Sequence, residues 1–130
     1  MKERVVMSVS LLPRLDILRE GGILSDENYE RVLSVISHFK NRYGIELTEE
    51  NASAFITHLC SALQRITNGE PVEALDKDIY EDVIIQPTFE RANEISTELR
   101  DMYPIIPESE LMYLNMHLNI LLETEEDSEA

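Results

Sequence analysis

A single cysteine in 130 residues cannot close an internal disulfide, so nothing in this chain depends on an oxidising compartment. No basic-then-apolar leader opens it, and the cytoplasm is the expected location. Positive charge is scarce. Eleven Lys and Arg stand against 26 Asp and Glu, a net charge of −15, whereas phosphate backbones are gripped by clustered basic side chains. Direct binding of nucleic acid is therefore not expected. No apolar run approaches the roughly eighteen residues needed to cross a membrane, so no membrane partner is expected either. The chain lacks alternating strands of useful length and any repeat of fixed period, which leaves an all-α fold. It also lacks C-x-x-C pairs, a glycine-rich phosphate loop and G-x-S-x-G. Nothing argues for a self-contained enzyme, a cofactor or a resident metal.

What is present is enough apolar material, 43%, for one ordinary soluble domain. Residues 1–24 read as an N-terminal extension with a short helix. Pro13 sits in its first turn, Leu11, Leu12, Leu15 and Leu18 supply its apolar positions, and Gly21 and Gly22 stop it. A compact bundle of about five helices is expected over 25–122. Ser25 or Asp26 caps the first, whose apolar positions run from Tyr29 through Val32, Leu33, Ile36 and Phe39 to a stop at Gly44. Thr48 caps the second, which ends at Gly69. A short, weakly periodic piece follows around Ile79–Ile85. Pro87 enters the next helix, with Phe89, Ala92, Ile95, Ser96 and Leu99 on its face, and Pro104 ends it. Pro107 begins the last. Residues 123–130, nearly all acidic and small, read as a solvated, frayed terminus.

Two of these helices carry histidines at the margin of an apolar face. At about 100° per residue, Ala52, Phe55, Leu59, Leu63 and Ile66 form one arc, and His58 lies just outside it. Arg65 lies about 20° from His58, two turns along the same line. Ala54, Ser61 and Ala62 flank that line and leave room for a group to approach the imidazole. The last helix repeats the arrangement. Leu111, Leu114, Leu118, Leu121 and Leu122 form the arc, His117 is at its edge, Glu110 lies about 20° from His117, and Tyr113 is about 40° to the other side. Two such helices can present their histidines to each other. Cys60 points about 160° away from His58 and reads as a small core residue, and His38 as structural or exposed. Glu110 either orients an imidazole or favours the N-terminus of its helix.

The motif H-L-x-x-A-L-x-R-I-x-x-G, His58 to Gly69, followed by E-x-x-Y-L-x-x-H-L, Glu110 to Leu118, resembles the PTS regulation domain, or PRD, over roughly Ser25–Leu122. That family is a five-helix bundle of bacterial antiterminators and activators whose histidines take phosphoryl groups from the sugar phosphotransferase system. The resemblance implies a stand-alone regulatory domain with His58 and His117 as acceptors and with Arg65, Glu110 and Tyr113 supporting the phosphate. It implies a donor that is the histidine-containing phosphocarrier protein or a sugar-permease IIB component, and control of carbohydrate-related transcription through a partner. A homodimer is expected on separate grounds, because the leucine-rich faces and the extra N-terminal apolar segment supply more apolar surface than one small bundle covers. Members usually carry two such domains fused to an effector; this sequence has one copy. The alternatives are an adaptor that dimerises without being phosphorylated and a metal-binding module built on His58 and His117.

Overall fold

The computed structural model describes residues 9–70 and 72–129, so the first eight residues, Pro71 and Ala130 lie outside it, together with the reading of 1–8 as an arm. Six α-helices and one π-helical turn account for the regular structure among the described residues, and no strand occurs. The fold is all-α, as the periodicity indicates. The chain divides into two compact units, Met1–Ser53 and Ala54–Ala130, and the division falls inside the third helix.

The first unit holds α1 (Leu12–Glu20), α2 (Asp26–His38), the π-turn Phe39–Tyr43 and the opening residues of α3 (Glu49–Thr67). Pro13 stands in the first turn of α1, where its missing N–H costs nothing. Leu11 and Leu15 are buried, but Leu12 is exposed and Leu18 only half-buried, so the apolar side of α1 is narrower than its leucine content suggests. Tyr29 links α2 to α1: its hydroxyl donates to Asp16 at 2.8 Å, and the Arg19 guanidinium lies 3.8 Å from its ring centroid. Ser25 accepts from the Asn28 N–H and caps α2. After His38 the helix widens into the π-turn and closes on Gly44, whose φ of +68° is reached without strain only by glycine. Thr48 opens α3. Its backbone N–H donates to the Asn51 side chain at 2.8 Å, so asparagine does the work of the Glu or Gln in a capping box. Arg14 forks onto Glu49 with two bonds of 2.7 Å and holds that carboxyl below its ordinary range.

The second unit holds the remainder of α3 with α4 (Lys77–Ile84), α5 (Phe89–Met102) and α6 (Glu108–Glu129). The weakly periodic piece is thus a true helix, capped by Asp76, which accepts from the Asp78 N–H. Pro87 lies two residues ahead of α5, in the turn that leads to it, rather than in its first turn. The face expected for α5 is buried at Ala92, Ile95, Ser96 and Leu99. On α6, all five leucines of the arc are buried. Its helical backbone continues to Glu129, so the acidic segment from Glu123 extends α6 instead of fraying from it.

Polar side chains set the position of α6. Asn119, 3% exposed, accepts from the Thr88 hydroxyl at 2.9 Å and donates to the Val83 carbonyl at 3.0 Å. One turn earlier, Asn115 donates to the Tyr80 hydroxyl and to Asn93. Both amides bond across to other elements, with Asn115 Oδ1 alone left buried without a partner, and these bonds fix the register of α6 against α4 and the start of α5.

Candidate functional site

The site lies wholly in the second unit, between α3 and α6. Helix α3 buries Leu59, Leu63 and Ala62, which leaves His58 half-buried at the edge of that face. It ends soon after Arg65. The Glu70 N–H donates back to the Arg65 carbonyl at 2.8 Å and the Gly69 N–H to the Ile66 carbonyl at 3.1 Å, with Gly69 at φ +71°, a closure only an αL residue provides. Helix α6 starts at Glu108, with the Pro107 carbonyl accepting from the Glu110 and Leu111 N–H groups.

The two histidines meet. Their ring centroids are 4.7 Å apart with the planes inclined by 32°, and the Tyr113 ring stacks against His58 at 5.6 Å and 25°. Tyr113 is held from its far end, where its hydroxyl donates to the Glu73 carbonyl at 3.1 Å. That tether comes from a backbone atom 40 residues away, which no side-chain pattern could reveal. Burial pushes the His58 imidazole down to about 4, and the neighbouring His117 and the Arg65 guanidinium act in the same direction. His117 is lowered as well, through burial. At neutral pH both rings are uncharged and keep a lone pair on one nitrogen.

Arg65 and Glu110 complete the group. Arg65 donates from Nε to Oε2 at 3.1 Å and from Nη2 to Oε1 at 3.0 Å, and Oε1 also lies 3.7 Å from His58 Nε2. The two-turn line on α3 therefore converges on one carboxylate of α6. Glu110 is only 1% exposed, and its position in the first turn of α6 is also where a negative charge is favoured. All five residues singled out in the sequence, His58, His117, Arg65, Glu110 and Tyr113, come together. Cys60 is buried on another side of α3, and His38 belongs to the first unit, where it contacts the Tyr43 hydroxyl at 3.3 Å. Among the described residues, no group of three or more His, Cys, Asp or Glu side chains is arranged to hold a metal ion.

The family model of the PRD domain matches residues 33–120, and the chain belongs to that family of regulatory domains. It is also similar to an uncharacterized protein of Escherichia coli (strain K12), YhfY, with 27% identity over 66 residues. That match takes in 51% of this chain and 55% of YhfY, so the chain spans about half the length of the curated relative. No solved structure matches the chain. No helix among the described residues is long and apolar enough to cross a membrane.

Proposed function

We propose that this chain is a regulatory domain that accepts a phosphoryl group on His58 or His117 from a component of the sugar phosphotransferase system, either the histidine-containing phosphocarrier protein or a sugar-permease IIB component. It passes the signal to transcription through a partner in the cytoplasm. The observation that carries this reading is the contact of two neutral imidazoles at 4.7 Å beside a guanidinium. A neutral ring nitrogen attacks phosphorus in line while the donor's phosphorylated side chain departs with the electron pair of the broken bond, so the domain needs neither nucleotide nor metal of its own. Arg65, paired with Glu110 beside the ring and close enough to act on His58 by its charge, offsets part of the negative charge that the transferred group brings. Each added phosphate carries about −1.5 to −2 charges, enough to reorganise the packing around the site.

Intact-mass measurement after incubation with the phosphocarrier and its phosphate source tests this. The expected result is an acid-labile, alkali-stable addition that His38→Gln retains and the double substitution of His58 and His117 abolishes. An unmodified protein, under conditions that phosphorylate a known acceptor of the same donor, overturns it. A second reading, an adaptor that is never phosphorylated, is favoured by one observation: the Arg65 fork is already satisfied by Glu110. In that case the site is structural and its substitutions are silent for signalling.

Homodimerisation belongs to either reading. In the first unit a cleft of about 480 Å³ is lined by Leu11, Leu12, Leu33, Ile36 and Leu47 and equally by polar residues that include Lys40 and Glu46, and Leu12 is about half exposed. A second copy is the commonest occupant of such a surface.

A further inference from the structure

We propose that Glu110 holds His58 in its Nε2–H tautomer, so that Nδ1 is the atom of this ring that takes the phosphoryl group. The inference rests on the proposed function and adds to it the acceptor atom and the group that selects it.

The geometry of the three residues carries the argument. His58 Nε2 is buried and without a hydrogen-bond partner, and it lies 3.7 Å from Oε1 of a carboxylate that is itself 1% exposed. Nδ1 is not closed off in this way. A neutral imidazole carries one N–H and one lone pair, and the environment decides which nitrogen has which. With the proton on Nε2, its positive end faces the carboxylate. With the lone pair there, two acceptors face each other where water does not screen them. Arg65 does not relieve that conflict, because its Nε and Nη2 donors are both directed at Glu110. The proton therefore resides on Nε2 and the nucleophilic pair on Nδ1.

Steric and charge considerations agree. A phosphorus bonded to Nε2 would occupy the space between the ring and Glu110 and would set a dianion against a buried carboxylate. Bonded to Nδ1, it leaves the Arg65–Glu110 pair intact. The Tyr113 and His117 rings are inclined by only 25° and 32° to the His58 ring, whereas an N–P bond forms in the plane of the ring. In the transfer, the Nδ1 lone pair forms the new N–P bond as the donor's bond to phosphorus breaks, and the donor keeps that electron pair. The proton stays on Nε2, and the imidazolium so formed faces Glu110, which stabilises it as a carboxylate behind a catalytic histidine does. Glu110 acts here as a positioning residue: it touches the acceptor ring and not the transferred group.

Nitrogen-15 correlation spectra of the histidine side chains at pH 7 test the inference on the unmodified wild-type protein. The expected pattern for His58 is a protonated Nε2 and a bare, downfield Nδ1. Glu110→Gln, which keeps the shape and removes the charge, should shift the spectrum towards a mixture of tautomers. After incubation with the phosphocarrier and its phosphate source, phosphorus–nitrogen coupling at His58 should appear on Nδ1. A bare Nε2 in the wild-type spectrum, or phosphorus on Nε2, overturns the inference and leaves the proposed function standing. Absence of any phosphorylation overturns the proposed function and with it the acceptor role of Nδ1, and the tautomer spectrum still decides whether Glu110 holds the proton on Nε2.

Discussion

Arg65 and Glu110 form a two-bond ion pair whose partners are unequally placed: the arginine side chain is 30% exposed and the glutamate side chain 1%. The inequality has an energetic consequence, because water can replace one partner and not the other.

Removing Arg65 strands a buried carboxylate, and breaking a buried pair in this way costs about 3–5 kcal/mol. Removing Glu110 leaves a guanidinium that can turn to solvent. Urea unfolding should therefore show Arg65→Met to be more destabilising than Glu110→Met by ~1–2 kcal/mol. Arg65→Lys, a point charge without a fork, should fall between wild type and Arg65→Met. Equal losses for the two methionine variants would show that the carboxylate is solvated.

The pH dependence follows from the histidines. His58 has an ordinary value of 6.5 and is lowered to about 4 in the fold, where His117, Arg65, Glu110 and Tyr113 surround it. Between those values the unfolded chain binds a proton that the folded chain refuses, so stability is complete above pH 6.5 and falls as pH drops towards 4. At ~1.4 kcal/mol per pKa unit, the loss attributable to this ring is on the order of 3 kcal/mol. Denaturation midpoints of wild type and His58→Gln across that range should converge as pH falls, which separates the ring's contribution from that of the many carboxylates. Parallel curves would contradict it.

Gly69 closes α3 at φ +71°, with no atom within 4 Å of where a Cβ would stand. Gly69→Ala thus meets strain and no clash, and should lower stability by about 1 kcal/mol, measured by thermal unfolding. The loss should be regained with Asn, which tolerates the left-handed region better than alanine does. No difference between the two variants would mean that the turn has opened.

Self-association should respond to salt. A chain at −15 repels its copy, so sedimentation across a concentration series should show a tighter dimer at 0.5 M than at 0.05 M salt, and Leu12→Asp should weaken it at both. A monomer throughout would remove the dimer from the proposed function.

The leucine arc of α6 and the marginal position of His117 were legible in the sequence because one face of a single helix suffices to define them. The stop at Gly69 and the Ser25 cap are equally local. Glu110 was legible as a neighbour of His117 but not as a buried anion, since its burial depends on Arg65, 45 residues earlier. The acidic end of α6 carries no apolar signal, and its helical continuation follows only from the turns that precede it. Asn115 and Asn119, four apart among buried leucines, were the readable hint of the polar contacts to α4. Their partners Tyr80, Val83 and Thr88 lie more than 30 residues upstream.

Those contacts make α4 dependent on its neighbour. A helix of eight residues is too short to be stable in water on nucleation grounds alone. Here Asn119 takes the Val83 carbonyl and Asn115 meets the Tyr80 hydroxyl. Helix α4 is therefore cooperative with the middle of α6, and its amides should exchange with solvent through the same opening event as that turn. The segment of α6 that grips α4 begins two residues before His117 and ends two residues after it, so α4 is a natural reporter of whatever happens to that ring.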